Sequence, residues 1–253
     1  MKENKKGEAY YTYVPNLFDK FNLSELNESE IVKGIRTGII KGKNIKGLSR
    51  ELKNPNITLQ RKKEIKTKLL PAVVSSGVCK WRIDSDNFTS HNGRVQVDID
   101  KTVANQKIIG KTLSEVISFI KMELVKDQFI CLANLSPSGG IKLLVRISPD
   151  NPDNKITHLK EAQSVYVKII QRYFKDSYGL EIDTSCSDLS RLMLLSHDPD
   201  VYYNKDSKQF RIDMGLDILE EELTKTHRKK VRATSENKDV NVSDVEWAVS
   251  QVE

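Results

Sequence analysis

At Pro71 the hydrophobic pattern of this chain changes period, and that change limits the folds open to it. Upstream, apolar residues recur at helical spacing. Ile31, Ile35 and Ile39 follow Ser29-Glu30, and Leu59, Ile65, Leu69 and Leu70 follow the capping residue Thr58. Asn54-Pro55 separates these two helices, and Tyr10-Tyr11-Thr12-Tyr13-Val14 ahead of them reads as a short strand. Downstream, strand patterns take over. Residues 72–74 and 78–83 flank Ser75-Ser76-Gly77 as a predicted strand, turn and strand, and residues 84–93 read as a polar loop. Residues 94–100, 129–135 and 141–147 are further strands, with shorter pieces at 180–182, 192–195 and 210–212. Helices interleave: Leu113, Val116, Ile117, Ile120 and Leu124 mark one, a long one runs from about Asn154 to Lys175, and residues 216–223 form another. The predicted class is α+β. Its parts are a basic, mainly helical region over 1–70, a core over 71–224, and a charged linker with the start of a further helix over 225–253. A helix beginning where the chain stops points to a longer protein.

Charge is the second constraint. Between Lys33 and Lys68 stand twelve basic residues against Glu51 and Glu64, while the whole chain of 253 residues carries only +6. A block this one-sided repels itself unless a polyanion lies close, so Arg36, Lys41, Lys43, Lys46, Arg61, Lys62, Lys63 and Lys66 are expected to touch a phosphate backbone, with Lys80 and Arg82 beyond. A solvated helical face is the plainer explanation of the same pattern. The composition, 38% hydrophobic and 30% charged, suits a soluble core, and no apolar run reaches the roughly 18–20 residues of a bilayer span. Met1-Lys2-Glu3-Asn4-Lys5-Lys6 leads into no apolar segment, so a secretory signal is not expected. Cys79, Cys131 and Cys186 are an odd, widely spaced set, which excludes a disulfide framework and a CxxC zinc module. A cytoplasmic location is expected.

Several familiar motifs fail. Gly110-Lys111-Thr112 lacks the earlier glycine of a P-loop, since Asn105 stands there, and the four histidines have no metal-ligand spacing. The sharpest feature is Asp98-Ile99-Asp100. Residues i and i+2 of a strand share a face about 6.5–7 Å apart. Two carboxylates so placed repel unless a cation lies between them, and oxygen ligands select hard ions such as Mg²⁺ or Mn²⁺. Acids ending an exposed strand face would look the same. Ser136-Pro137-Ser138-Gly139-Gly140-Ile141-Lys142 puts hydroxyls, glycines and a lysine at a turn that can cradle phosphate, or simply close a hairpin. Asp183 supplies a third strand-borne carboxylate, with Arg191 and His197 following.

In order and type these pieces resemble the archaeo-eukaryotic primase superfamily, whose members carry hhhDxD, a Ser/Gly-rich motif ending in histidine, and hD with a downstream arginine. Here the pieces are Val95-Gln96-Val97-Asp98-Ile99-Asp100, Ser136–Lys142, and Ile182-Asp183 with Arg191 and Ser196-His197. Within that superfamily the chain is most similar to the VirE N-terminal-type primase domains that open primase–helicase proteins of phages and mobile elements. Leu70-Pro71-Ala72-Val73, His91-Asn92-Gly93, Asp188-Leu189-Ser190-Arg191 and His197-Asp198-Pro199-Asp200 add to the likeness, which covers about residues 70–210. One position departs from it: Lys142 stands where the superfamily has histidine.

The resemblance implies an RRM-like antiparallel or mixed sheet with helices, and a nucleotidyltransferase that synthesises a DNA primer on single-stranded DNA by two-metal chemistry. Asp98, Asp100 and Asp183 would hold Mg²⁺ or Mn²⁺ as the catalytic acids. Ser136, Ser138, Gly139, Gly140, Lys142, Arg191 and His197 would bind the nucleoside triphosphate. Single-stranded DNA and a helicase domain or protein are the implied partners, and no membrane is involved. The alternative is a catalytically weak nucleic-acid-binding module serving a helicase, and a weaker third reading is a metal-dependent nuclease.

Overall fold

The computed structural model describes residues 8–81, 87–100, 112–148, 156–183 and 187–211. Arg82, predicted to touch DNA, lies outside them, as do the helix expected over 216–223 and the linker and helix expected over 225–253. The described chain is α+β with antiparallel sheets. No described helix is long and apolar enough to cross a membrane.

Two strands, β1 (Tyr10–Val14) and β2 (Ser24–Asn27), lead into helix α1 (Glu28–Thr37). The predicted start at Ser29 moves to Asn27, whose side chain accepts the Glu30 N–H while Glu30 reaches back to the Asn27 N–H. That reciprocal capping box satisfies two amide groups with no helical partner. Gly38, at φ 78°, ends the helix in the left-handed conformation glycine adopts without penalty. Ile39 therefore leaves the helix and enters a small ribbon, β3 (Ile39–Ile40) with β4 (Lys43–Asn44). Helix α2 (Ile45–Leu52) and helix α3 (Leu59–Glu64) complete the basic region. Thr58 caps α3 as expected, but Leu59 is 83% exposed and outside the core.

Residues Ile65–Leu69 continue α3 as a π turn, in which the Leu70 N–H bonds to the Ile65 carbonyl at 2.8 Å. Leu70 itself is extended, at φ −71° and ψ 133°. The ring of Pro71 forces that conformation on the residue before it, so the helix must end there.

Beyond Pro71 come β5 (Ala72–Val74), β6 (Gly77–Cys79), β7 (Phe88–His91) and β8 (Arg94–Ile99). Residues 72–79 do not fold back on themselves as a hairpin. β5 pairs with β1 on one side and with β11 (Leu192–Leu194) on the other, while β6 pairs with β7, a strand where sequence suggested loop. A Cβ on Gly77 would lie 2.0 Å from the Ser90 carbonyl oxygen, so only glycine permits the β6–β7 approach. The first sheet has the order β11-β5-β1-β2, which means that the boundary expected at residue 70 runs through a sheet.

The second sheet takes β8, β9 (Ile130–Leu135), β10 (Ile141–Arg146) and β12 (Tyr202–Tyr203) in the order β12-β9-β10-β8. Helix α4 (Leu113–Leu124) precedes β9, and helix α5 (Ile156–Tyr178) follows β10. Phe210 contributes one bridge, to Ile147, rather than the expected strand, and residues 180–182 run without regular structure. One core joins the two sheets: Tyr11, Ile31, Ile35, Ile65 and Met193 pack with Leu132 and Leu144.

A buried polar network crosses that core. Glu28 takes Arg94 Nε at 3.0 Å on one carboxylate oxygen and an Arg94 terminal nitrogen at 3.1 Å on the other. The Tyr11 and Tyr203 hydroxyls donate to the same carboxylate at 2.5 and 3.3 Å. Burial, then the Glu28 charge, pushes the Tyr203 hydroxyl up to about 12, so it stays a donor. Burial likewise pushes the Cys131 thiol up to about 12, which removes it as a nucleophile.

His91 gives the fold a pH dependence. Its Nδ1 accepts the Gly93 N–H at 2.9 Å, so the proton sits on Nε2, 3.2 Å from Gln163 Oε1. Burial, with help from the Arg94 charge, holds its pKa below the usual value despite the Gln163 bond. The unfolded chain takes up a proton near pH 6.5 while the folded one resists it, so this contribution to stability is whole above about pH 6.5 and is lost as pH falls below it. Denaturant titrations at pH 7.5 and 5.5 should show a larger acid loss in wild type than in His91→Gln.

Candidate functional site

Strand alternation and register decide what gathers at one end of the second sheet. Asp98 on β8 stands opposite Lys142 on β10, and Lys142 stands opposite Asn134 on β9. Cross-strand partners share a face, as do residues two apart, so Gln96, Asp98, Lys142 and Asn134 form one polar group. Lys142 Nζ donates to both Asp98 carboxylate oxygens, at 2.8 and 2.9 Å. Gln96 Nε2 reaches the same two oxygens at 3.0 Å. Lys142 is only 9% exposed, so salt screens this pair far less than a surface one. Two oxygens are left over: Gln96 Oε1 and Asn134 Oδ1 are buried without a hydrogen-bond partner. A buried acceptor in that condition costs about 1–3 kcal/mol, so each oxygen favours an added donor.

The segment leading to β11 lies beside it. The Asp183 N–H donates to the Asp98 carbonyl at 3.2 Å, which places Asp183 along the outer edge of β8. Its carboxylate is 3.3 Å from an Arg191 terminal nitrogen. Two of the three predicted acids therefore occupy adjoining stretches, but each is in an ion pair, Asp98 with Lys142 and Asp183 with Arg191. Asp100 is exposed, one residue past the end of β8. Among the described residues, no three His, Cys, Asp or Glu side chains form a group that could hold a metal ion. The donors that are present are all oxygens: two carboxylates and the two unpartnered amide oxygens. Oxygen donors are the kind that hard ions such as Mg²⁺ or Mn²⁺ take, but both carboxylates are already paired, with Lys142 and Arg191.

The predicted phosphate cradle divides. Ser136 and Gly140 close the β9–β10 turn on each other, through the Ser136 N–H to the Gly140 carbonyl at 2.8 Å and the Gly140 N–H to Ser136 Oγ at 2.9 Å. The Ser136 hydroxyl oxygen thus accepts one bond within the hairpin. Ser138 Oγ accepts from Lys66 Nζ at 2.7 Å, tying the turn to the basic segment. Gly139, at φ 89°, has open space where a side chain would project. Arg191 immediately precedes β11, and His197 lies three residues past its end. The His197 N–H bonds to Ser49 Oγ at 2.9 Å, and its ring lies 2.9 Å from where a Cβ on Gly38 would be.

Several of the predicted DNA contacts also bond within the protein. Lys43 Nζ turns to the Pro15 carbonyl at 2.5 Å, and Arg61 pairs with Glu51 at 2.7 Å and Glu64 at 2.9 Å. Arg36 reaches the Val201 carbonyl at 3.4 Å and remains exposed, as are Lys41, Lys46, Lys63 and Lys80. Lys62 lines an open cleft of about 450 Å³ with Lys53, Asn54, Ser114, Ser118, Ser138 and Gly139. Positive charge from α2 and α3 thereby meets the hairpin that carries Lys142.

Sequence reasoning passed over Gln96, Asn134, and the pair Lys121–Asp198. Gln96 stands two residues before Asp98 and Asn134 interrupts an apolar run, so both left a signal in the pattern. Asp198, 1% exposed, accepts from Lys121 Nζ at 2.6 Å and from the Leu135 N–H at 2.8 Å. Its place in the His197–Asp200 phrase is explained by holding β9 to α4.

No curated protein and no solved structure matches the chain. The model of one protein family, described as BT4734-like, N-terminal domain, matches residues 64–203, from the π turn through β12. That span holds Asp98, Lys142, Asp183 and Arg191 and exceeds half of the sequence, and the chain belongs to the BT4734-like N-terminal domain family.

Proposed function

We propose that this domain is a nucleotidyltransferase of the primase or primase-polymerase kind, extending a strand on single-stranded DNA. The observation that carries the proposal is the Asp183 N–H bond to the Asp98 carbonyl, which sets side by side the backbones of two acids that each have a basic partner, Asp98 with Lys142 and Asp183 with Arg191. A triphosphate offers each cation a more highly charged partner than a single carboxylate. On binding, Lys142 and Arg191 would exchange carboxylate for phosphate, and Asp98 and Asp183 would then be the residues to hold a divalent ion. Asp100, with its exposed carboxylate, joins them from the end of β8. Bound Mg²⁺ or Mn²⁺ would supply Lewis-acid stabilisation of the attacking and leaving oxygens. Lys142 and Arg191 fix the phosphates and neutralise charge that grows on them. Ser138 and Gly139 present a hydroxyl and an unobstructed backbone at the mouth of the cleft, and the exposed lysines track the template.

The second reading is a nucleic-acid-binding module that serves a helicase without synthesis of its own. It is favoured by the fact that both acids are neutralised by basic partners. Incubating the protein with Mn²⁺ or Mg²⁺, ribo- or deoxyribonucleoside triphosphates and single-stranded DNA separates the readings. The proposal expects strands that lengthen. Unchanged strands together with binding that weakens steeply with salt support the module, and shortened strands support a nuclease.

A further inference from the structure

Residues 15–23, between β1 and β2, form a loop that holds two aromatic rings out to solvent. Phe18 is 65% exposed and Phe21 69%. Hydrogen bonds fix the loop: Asn16 Oδ1 accepts the Phe18 and Asp19 N–H groups at 3.0 and 3.1 Å, and Asp19 Oδ1 accepts those of Phe21 and Asn22 at 3.3 and 2.8 Å. The rings are therefore displayed from a shaped backbone.

The surroundings are basic. The Leu17 N–H bonds to the Thr67 carbonyl at 3.0 Å, seating the loop on the π turn that carries Lys66 and Lys68. Lys43 Nζ joins the Pro15 and Leu69 carbonyls, at 2.5 and 3.4 Å, and so ties the β3–β4 ribbon to both. Lys41 at the tip of that ribbon lies 5.8 Å over the Tyr13 ring, and Lys20 is exposed between the two phenylalanines. Asp19 is the acid inside the loop, and its Oδ1 is engaged by backbone amides. The same π turn reaches the proposed catalytic hairpin, through Lys66 to Ser138.

We propose that Phe18 and Phe21 are a base-stacking platform for the single-stranded nucleic acid that the flanking lysines hold by its phosphates. Unpaired bases have apolar faces that stack on aromatic rings whatever their sequence, and the cationic rim selects a polyanion. A strand laid on the loop continues over the π turn to the cleft beside Ser138, so the platform would set the template upstream of the Asp98–Lys142 site. This inference rests on the reading that the domain works on single-stranded DNA.

Anisotropy titrations of a labelled oligo(dT) with the full chain, across a range of salt, test it. The Phe18→Ala/Phe21→Ala double variant should bind about 10- to 100-fold more weakly at fixed salt, with the slope of log affinity against log salt unchanged. Lys63→Ala/Lys68→Ala should reduce the slope instead. Phe21→Trp should keep wild-type affinity and add fluorescence quenched by the oligonucleotide. Salt-sensitive wild-type binding with an unaffected double phenylalanine variant and an unquenched Trp overturns the platform and leaves the proposed function standing. Wild type that fails to bind the oligonucleotide overturns both. Wild type that cosediments with phosphatidylserine vesicles through Phe18 and Phe21, while oligonucleotide binding ignores them, also overturns the platform and assigns the rings to a membrane surface.

Discussion

Glu28→Ala should lower the unfolding free energy by about 3–5 kcal/mol, the usual cost of removing one partner of a buried ion pair. The side chains of Glu28 and Arg94 are 4% and 6% exposed. With the carboxylate gone, the guanidinium keeps its charge, because no accessible pH deprotonates it, and two of its donor groups lose their acceptor. The Tyr11 and Tyr203 hydroxyls lose theirs as well. The pair joins the start of α1 to β8, so the damage falls on the core between the two sheets. At about 2–4 °C per kcal/mol for a chain of this size, the melting temperature should drop by roughly 6–20 °C. The double variant Glu28→Leu/Arg94→Met should regain most of that loss, since replacing both charges by apolar side chains removes the uncompensated one. Urea denaturation of the wild type, both single variants and the double variant measures the coupling. Additive losses would show that the network does not act as a unit.

Asp98→Asn should reduce metal-dependent strand extension by at least about 10²-fold, the scale on which loss of one electrostatic stabiliser acts. Asparagine keeps the shape of aspartate and can still accept from Lys142 and Gln96, so the β8–β10 register survives. What it removes is the negative charge that an ion requires and that now neutralises Lys142. The same loss of charge should leave affinity for single-stranded DNA unchanged or slightly raised, because a carboxylate beside a polyanion repels it. Rates of primer extension and salt-titrated binding, measured on one preparation, separate the two effects, and a melting curve confirms the fold. Extension that persists at wild-type rate in Asp98→Asn would remove this carboxylate from the chemistry and return the domain to the binding-module reading.

Much of the site was legible before any coordinates. Period-two alternation over 94–99 and the apolar runs at 130–135 and 141–146 each specify a strand. Gly139 and Gly140 specify the turn that joins β9 to β10, but which strand lies on the other side of β10, and so that Lys142 faces Asp98, is not written in any of these stretches. Lys142, which departs from the histidine expected by resemblance, is in three dimensions the partner of Asp98. His197, which the resemblance assigns to the triphosphate with Arg191, lies beside Gly38 and bonds through its N–H to Ser49. Arg191 stands before the three residues of β11, and His197 follows two further residues beyond them.

Local periodicity and capping residues fixed the identity of most elements in this protein, because those depend on neighbours within a turn or a pleat. Tertiary structure alone decided that β5 joins β1 and β11 rather than β6, that Glu28 meets Arg94 across 66 positions, and that Asp98 and Asp183 arrive already paired with Lys142 and Arg191. Such partnerships depend on strand order and on which charges are buried together, and no short stretch of sequence contains either.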